Sequence, residues 1–263
     1  SGFNIPSAFN KLSYRFYKIT PKALIKPIRH FRQKHHLPLR YPAISSPYLY
    51  GISPHLLPPP KDWPKSHILT GFWYPPATSP LPEKLDAFLN KGKPPLLITF
   101  GSTPFHAGFS IQELVQLLHS SLHERIILVK GWDTMPTRQL QDHADICVVD
   151  SVPYSLLMPR VKAVIHHGGI GTIAECLRAG KPMLACPVLF PVGDQMFWGK
   201  QAYKQGVGVK PLPVKQLTSR TFIRRAYHLL HDNNLYTNAR NLQARIMQED
   251  GIARALQVIE RGK

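Results

Sequence analysis

The sequence contains little cysteine, few acidic side chains and no long apolar run. Its three cysteines, Cys147, Cys176 and Cys186, are odd in number and have no Cys-x-x-Cys spacing. This pattern is typical of a reduced, cytoplasmic compartment, and we interpret all three as small buried hydrophobic side chains. No apolar stretch is long enough to cross a bilayer, and residues 1–16 lack the apolar core of a signal peptide. The absent initiator methionine indicates a fragment or a processed chain.

Basic residues far outnumber acidic ones. The chain has 15 Asp and Glu against 33 Lys and Arg, a net charge of +18, which favours anionic partners. The basic residues are scattered, and no RNA-recognition or zinc-finger spacing accompanies them, so we predict no nucleic-acid partner. Peripheral contact with an anionic membrane surface is the alternative that we favour.

The first third of the chain differs in composition from the rest. Residues 11–33 are basic and aromatic, with apolar residues at helical spacing. Pro21 and Pro27 are expected to break or kink a helix there, which predicts two short amphipathic helices. Such helices can lie on a membrane surface or pack their apolar faces on a partner domain, and we favour packing. Residues 38–80 are rich in proline, which predicts a stiff linker with two short strands.

From residue 96 onward the pattern becomes regular, with apolar runs separated by amphipathic segments. The predicted strands are 96–100, 125–130, 145–149, 161–165, 182–187 and 207–212. Such a succession predicts an α/β fold, a Rossmann-like parallel sheet with flanking helices, in which ligands bind at the carboxyl ends of the strands. Residues at these ends are expected to meet at one edge of the sheet; they are Gly101, Ser102, Trp132, Ser151, Val152 and His167.

The residues from 166 to 198 are the most informative stretch of the chain. They begin with a glycine-rich turn that follows a predicted strand and precedes a predicted helix, whose end is marked by Gly180. A strand-to-helix turn presents backbone N–H groups and the positive end of a helix dipole, which suits a phosphate group. An ordinary tight loop with a core histidine remains open for the glycines alone, because glycine patterns are common.

Polar residues at set positions make the phosphate interpretation more specific. The glycines lack the Cβ that would block close approach, two side chains can add donors, and a carboxylate one turn into the helix can accept hydrogen bonds from a ribose diol. An Asp-Gln pair follows the next strand and can face the same crevice. In chain order these candidates are His167, Gly168, Gly169, Gly171, Thr172, Glu175, Asp194 and Gln195.

This set of motifs resembles the donor-binding segment of the GT-B, family 1 UDP-glycosyltransferases. The similarity is to the branch with sterol glucosyltransferases and the bacterial glycosyltransferases of antibiotic and glycolipid pathways. The matching motifs are HHGGIGT at 166–172, RAGKP at 178–182, GDQMFWG at 193–199, SPH at 53–55, PKDW at 60–63 and GFW at 71–73.

The resemblance implies an organisation and a set of roles. Residues 66–263 would be the C-terminal nucleotide-sugar-binding domain of a GT-B fold, and residues 1–65 the end of an N-terminal acceptor domain with a proline-rich linker. His167, Gly171, Thr172 and Ser102 would lie near the diphosphate, Glu175 would hold the ribose hydroxyls, and Asp194 and Gln195 would bind the transferred sugar. Val152 would contact the base through its backbone. Trp132 stacks on uracil or packs on the surface, and both alternatives stay open.

Position 151 departs from the plant-type members of the family. They place a tryptophan there to stack on uracil, whereas this chain has Ser151. The sterol-type branch lacks that tryptophan as well. Stacking on the base is therefore less certain here than the family assignment itself.

The expected activity is inverting transfer of a hexose, glucose by resemblance, from a UDP-sugar to a hydroxyl of a lipophilic acceptor such as a sterol, lipid or polyketide. No metal and no cofactor is expected. The family's catalytic base, usually a histidine, lies near the start of the N-terminal domain, which this chain lacks, so we assign no catalytic residue. A cytoplasmic protein at the membrane periphery fits such an acceptor.

Two other functions compete with this one. The chain can be a donor-binding subunit that needs a separate acceptor domain for activity. A UDP-sugar epimerase of similar fold is the third possibility, but the GDQMFWG match at 193–199 argues against it. The acceptor, the sugar and the oligomeric state cannot be derived from the sequence.

Overall fold

The structure, a computed structural model, describes residues 20–39, 47–101, 110–130, 140 and 143–261, and the side chains of the first segment from Ile25 on. Of the predicted site residues, Ser102 and Trp132 lie outside these ranges, as does the helix predicted before residue 20. The chain divides into two compact units. One contains helix α1 (Thr20–Lys34), and the other extends from Leu49 to Lys263. The predicted domain boundary after residue 65 stays a prediction.

Helix α1 is continuous through a proline that was expected to break or kink it. Pro21 lies in its first turn, where a missing N–H costs nothing, but Pro27 lies inside the helix. The helix continues through Pro27 at the cost of one backbone hydrogen bond. The helix therefore has no break at Pro27, and whether it is kinked there stays a prediction.

A six-stranded parallel sheet forms the centre of the larger unit. A separate pair, β1 (Tyr48–Tyr50) and β2 (His67–Leu69), precedes it. The six strands are β3 (Leu96–Thr99), β4 (Ile126–Val129), β5 (Ile146–Val149), β6 (Ala163–His166), β7 (Met183–Ala185) and β8 (Gly208–Val209). Their order is β5-β4-β3-β6-β7-β8. The chain thus winds outward from β3 in one direction and then from β6 in the other, which puts a topological switch point between β3 and β6.

All six predicted strands are confirmed; three match their predicted bounds to within one residue, β6 begins two residues late, and β7 and β8 are shorter than predicted. Only Gly208 and Val209 pair with β7, because Pro211 cannot donate to the ladder. Beyond Pro211, the backbone N–H of Leu212 donates a hydrogen bond to the backbone oxygen of Ala185 at 3.0 Å. The final strand therefore reaches the expected residue, but with an interruption.

Helices cover both faces of the sheet. They are α2 (Glu83–Asn90), α3 (Ile111–Leu122), the single turn α4 (Tyr154–Leu157), α5 (Ile170–Arg178), α6 (Gln195–Lys204), α7 (Ser219–His231), α8 (Asn233–Ile246) and α9 (Gly251–Arg261). Alternate strand residues divide the core between two layers: Leu96 and Ile98 pack with α3 and α7, whereas Leu97 packs with α2, α5 and α8. The strands are apolar throughout because both faces are buried. This confirms the predicted α/β fold.

Local signals mark the helix ends, and the end at Gly180 is as predicted. Ser110 begins α3 with a capping box, in which its side chain accepts from Glu113 N–H and Glu113 returns the bond. Thr218 begins α7 in the same way, with Thr221 as its partner. Gly180, at φ +63°, ends α5, and Lys181 N–H donates to Cys176 O at 2.9 Å, a Schellman arrangement. All three cysteines are free and buried, as expected.

The proline-rich segment is less of a linker than its composition indicates. Leu56 and Phe72 are buried in the core layer that contains α5 and α8. Ser53 Oγ donates to Glu249 Oε1 at 2.8 Å. From Leu49 onward, this segment is thus packed on the larger unit. Among the described residues, no helix has both the length and the hydropathy that crossing a bilayer requires.

Phe222 should be a major contributor to the stability of this unit. It is 1% exposed on α7, so Phe222→Ala leaves a cavity, and we expect a loss of about 3–5 kcal/mol in the free energy of unfolding. Tyr227 on the same helix is 56% exposed, and Tyr227→Ala is the matched control, with an expected loss of no more than about 1 kcal/mol. Equal losses in urea denaturation would contradict the assignment of Phe222 to the core.

Candidate functional site

The turn between β6 and α5 lies at the switch point of the sheet. β3 and β6 are neighbours with Thr99 opposite His166, so the residues after them share one edge. Gly168 has φ +92°, a left-handed conformation that favours glycine. A Cβ on Gly168 would lie 2.7 Å from the backbone oxygen of Gln195. The turn is therefore packed directly against the start of α6.

The ring of His167 lies between two glycines. A Cβ on Gly169 would come within 3.1 Å of the ring carbon Cε1, and one on Gly101 would lie 3.0 Å from the same atom. Glycine at both positions thus makes room for an imidazole at the edge of the sheet. This arrangement brings together Gly101, from the end of β3, and His167, from the end of β6, as the sequence predicts.

The N-terminus of α5 has no side-chain cap. Its N-cap residue is Gly169, and the first helical hydrogen bond runs from Ile173 N–H to Gly169 O at 3.1 Å. None of the described residues accepts a hydrogen bond from the N–H groups of Ile170, Gly171 or Thr172. A Cβ on Gly171 would meet nothing within 4 Å. Free donors, an open approach and the positive end of the helix dipole coincide here, which is the arrangement that binds an anion.

Burial keeps both histidines of the turn neutral near pH 7. His166 accepts a hydrogen bond from Gly168 N–H at its Nδ1, at 3.0 Å. Complete burial, with a smaller effect from His167, lowers the pKa of His166 to about 3. Burial also lowers the pKa of His167, although the charge of Asp194 opposes this. Nδ1 of His167 is buried without a hydrogen-bond partner among the described residues.

Asp194 and Gln195 stand at the start of α6, against the glycine turn. The carboxylate of Asp194 accepts a hydrogen bond from Trp198 Nε1 at 2.9 Å and is otherwise exposed. Gln195 is buried, and its Oε1 accepts from Val188 N–H at 2.8 Å and Leu189 N–H at 3.0 Å. Gln195 therefore holds the loop after β7 in place, and its amide NH₂ remains as the group that can donate to a ligand.

A cleft of about 390 Å³ opens beside α5. One wall is the segment 75–79, a second is the loop after β5, and Glu175 of α5 completes it. Its lining residues are Pro75, Pro76, Ala77, Thr78, Ser79, Ser151, Val152, Pro153, Tyr154, Ser155 and Glu175. Val152 and Glu175, which the sequence predicts as site residues, thus line one cavity.

The cleft and the helix N-terminus are adjacent along α5. Gly171 and Glu175 are four residues apart, so they lie on the same face of the helix, about 6 Å apart along its axis. Glu175 is 14% exposed, and its Oε2 is paired with Arg178 Nη2 at 2.5 Å. Burial raises the pKa of Glu175, and Arg178 counteracts this. An anion at the helix end and a hydroxyl-bearing group in the cleft can therefore belong to one ligand.

The sequence from residue 116 to 256 matches the family model described as "Erythromycin biosynthesis protein CIII-like, C-terminal domain". This match covers more than half of the chain. The chain belongs to this family.

Two proteins that are similar to this chain in sequence are named as glycosyltransferases. An O-mycaminosyltylonolide 6-deoxyallosyltransferase of Streptomyces fradiae is 35% identical over 226 residues, 85% of this chain and 51% of that protein. A sterol 3-beta-glucosyltransferase of Arabidopsis thaliana is 35% identical over 213 residues, 80% of this chain and 32% of that protein. The chain therefore spans about half the length, or less, of these relatives.

Solved structures share the fold at low sequence identity. The glycotransferase of kitacinnamycin aligns with a TM-score of 0.69 at 16% identity, over 96% of this chain and 67% of that one. The glycosyltransferase VinC in complex with dTDP aligns with a TM-score of 0.55 at 20% identity, over 71% and 45%. Both likenesses concern the fold, and they confirm the predicted parallel sheet with flanking helices of a GT-B protein.

The structure adds residues that the sequence did not single out. The segment 75–79 was interpreted as part of a linker, yet it forms a wall of the cleft. Tyr154 lines the cleft, and its OH is 2.7 Å from Thr99 Oγ1. Arg178, part of a matched motif without an assigned role, pairs with Glu175. One sequence signal could have indicated that this segment packs beside the cleft. It is the pair of prolines that follows the aromatic run at 72–74.

One group of potential metal ligands lies elsewhere in the fold. His119, His143 and Asp145 have ligand atoms within 4.8 Å of one another. They stand at the end of α3 and before β5, on the amino side of the sheet, and His143 Nδ1 already accepts from Asp145 N–H at 3.2 Å. They are therefore separate from the anion site. That no metal takes part in the function stays a prediction.

Replacing Gly168 or Gly171, two of the three glycines of the turn, should have opposite effects on stability. Gly168→Ala places a Cβ against Gln195 O at a positive φ, and we expect a loss of roughly 1–3 kcal/mol in the free energy of unfolding. Gly171→Ala adds a Cβ in open space within a helix, and we expect no loss, or a gain of up to about 1 kcal/mol. Thermal denaturation of both variants checks this, and equal effects would contradict the packing of the turn.

The buried His166 should make the protein less stable as the pH falls. Its pKa is about 3 when folded and near 6.5 when unfolded, so between these values only the unfolded state takes up the proton. This contribution to stability is complete above pH 6.5 and declines by up to about 1.4 kcal/mol per pH unit below it. His166→Asn keeps an acceptor for Gly168 N–H but cannot titrate. The difference in unfolding free energy between the two proteins should shrink from pH 7 to 5; a constant difference would disprove the assignment.

Proposed function

We propose that this chain is the donor half of a glycosyltransferase that moves a hexose from UDP-glucose or a related UDP-sugar to a hydroxyl of a lipophilic acceptor, with inversion. The observation that supports this proposal most directly is that two features lie next to each other on α5. An uncapped helix N-terminus offers free N–H groups for a diphosphate, and Glu175 lines the adjacent cleft at the distance of a ribose. Family membership and the fold support the same proposal.

The nucleotide would extend from the cleft to the glycine turn. The base would lie between the loop at Val152 and the segment 75–79, and the ribose diol would donate hydrogen bonds to Glu175. The diphosphate would meet the N–H groups of Gly171 and Thr172 at the start of α5. The solved neighbour that carries dTDP supports a nucleoside diphosphate as ligand class.

The departing diphosphate gains negative charge as the sugar–oxygen bond breaks. Preorganised donors at that point stabilise the transition state because they need no reorganisation during the reaction. The helix N-terminus supplies such donors, and the neutral His167 adds one ring N–H beside them. Asp194 and Gln195, which pack on the same turn, would hold the hexose hydroxyls. The high positive charge of the chain also favours an anionic donor.

The acceptor and the catalytic base would belong to another part of the enzyme. The names of the two relatives, an O-mycaminosyltylonolide 6-deoxyallosyltransferase and a sterol 3-beta-glucosyltransferase, support a lipophilic hydroxyl compound. Such an acceptor would bring the enzyme to a membrane surface, where the net charge of +18 favours anionic lipids. A donor-binding subunit that acts with a separate acceptor chain is the second candidate. A metal or cofactor is not part of the proposal.

Calorimetry with UDP and UDP-glucose tests the proposal. We expect the chain to bind both, and Glu175→Ala to weaken both by roughly tenfold or more, the value of a hydrogen bond to a charged group. Asp194→Ala should weaken UDP-glucose much more than UDP, because only the sugar reaches α6.

The matched control is Asp86→Ala, which removes an exposed carboxylate paired with Arg160 at the amino side of the sheet. It should leave both affinities unchanged. A folded chain that binds neither UDP nor dTDP would refute the proposal. A preference for dTDP, which lacks the ribose 2′-hydroxyl, would contradict the assignment of the ribose diol to Glu175. Equal losses for both ligands at Asp194 would remove that residue from the sugar.

A further inference from the structure

Arg178 lies one turn after Glu175 on α5 and is closely tied to it. Its Nη2 donates to Glu175 Oε2 at 2.5 Å, and the two side chains are only 21% and 14% exposed. The other carboxylate oxygen of Glu175, Oε1, has no hydrogen-bond partner among the described residues. Because Glu175 lines the cleft, one oxygen is held by Arg178 and the other is left for a ligand.

Tyr74 lies against the same arginine from a distant part of the sequence. The guanidinium group of Arg178 lies over the Tyr74 ring, 4.5 Å from its centroid. Tyr74 OH donates to Ala174 O, within α5, at 3.1 Å. Tyr74 directly precedes the segment 75–79, so these two contacts attach the wall of the cleft to α5. Arg178 is thereby confined between a ring and a carboxylate.

A half-buried carboxylate needs such support to stay charged and oriented. Burial raises the pKa of Glu175, and Arg178 is the group that opposes this effect. The planar guanidinium also directs the carboxylate, because its N–H groups have fixed directions, and stacking on an aromatic ring limits the arginine's own freedom. Without Arg178 the carboxylate would rotate more freely and would be a weaker acceptor.

We propose that Arg178 and Tyr74 are positioning residues that hold Glu175 in the geometry that accepts hydrogen bonds from the ribose 2′- and 3′-hydroxyls. This inference rests on the proposed function, since it takes Glu175 as the ribose-binding group. It adds that recognition of the ribose depends on a stacked arginine and on the segment before residue 75.

The ratio of affinities for UDP and 2′-deoxy-UDP measures this role, because the two ligands differ by one ribose hydroxyl. In the 263-residue chain, we expect a clear preference for UDP that Glu175→Ala abolishes. Arg178→Ala should lower the preference by roughly fivefold. In the Glu175→Ala background the same change should alter the ratio no further, because Arg178 acts through Glu175. A merely structural role would weaken both ligands alike and leave the ratio unchanged.

Variants of Tyr74 separate the ring from its hydroxyl. Tyr74→Phe keeps the stacking surface and should retain most of the preference for UDP, whereas Tyr74→Leu should lower it as Arg178→Ala does. Arg160→Ala is the matched control: it also removes an arginine and an ion pair, with Asp86, but at the amino side of the sheet. It should leave the ratio unchanged. Arg178→Gln replaces the alanine variant where circular dichroism shows that variant unfolded.

The outcomes distinguish this inference from the proposed function. A chain that does not bind UDP, or that binds both nucleotides equally, would refute the role of Glu175 and this inference with it. A preference that Glu175→Ala abolishes but Arg178→Ala or Arg178→Gln retains would overturn only the inference. The inference is supported if Arg178→Ala and Arg178→Gln both lower the preference for UDP over 2′-deoxy-UDP, and if neither lowers it further in the Glu175→Ala background.

Discussion

The contact between the glycine turn and the start of α6 is the constraint on which the candidate site depends. Gly168 approaches the backbone oxygen of Gln195 so closely that no Cβ fits, and its positive φ directs the chain from β6 into α5. This single contact sets the position of the α5 N-terminus relative to Asp194 and Gln195. A helix placed even an ångström away would separate the anion-binding N–H groups from the residues that follow β7.

The electrostatics of the site contrast with those of the whole chain. The protein carries +18, yet the two histidines of the turn are kept neutral by burial. The local positive field comes instead from backbone dipoles at the start of α5, which cannot be titrated away. Neutral His167 can contribute a hydrogen bond without adding a full charge, and Asp194 can lie near it without forming a fixed ion pair. The positive field at this helix end therefore does not depend on the protonation of either histidine.

The segment before the sheet has more to do with the site than its composition suggests. Leu56 and Phe72 anchor it in the core, and Tyr74 then attaches it to α5 through Ala174 O and the guanidinium of Arg178. As a result, residues 75–79 stand opposite the loop after β5 and enclose the cleft. The segment that leads into the sheet therefore lies along the cleft and is attached to α5 beside it.

The sequence by itself determined the features that depend on near neighbours. Continuous apolar runs identified strands buried on both faces, Gly180 marked a helix end, and the spacing of His167, Gly171 and Glu175 put them on one turn and one helix. Only the tertiary structure decided what joins distant residues: Tyr74 with Arg178, and segment 75–79 with Val152. It also decided that Pro27 stays within a helix. Local propensity and hydrogen bonding to adjacent residues are written in short windows of sequence, whereas contacts across a hundred residues depend on how the layers pack, and no periodicity records that.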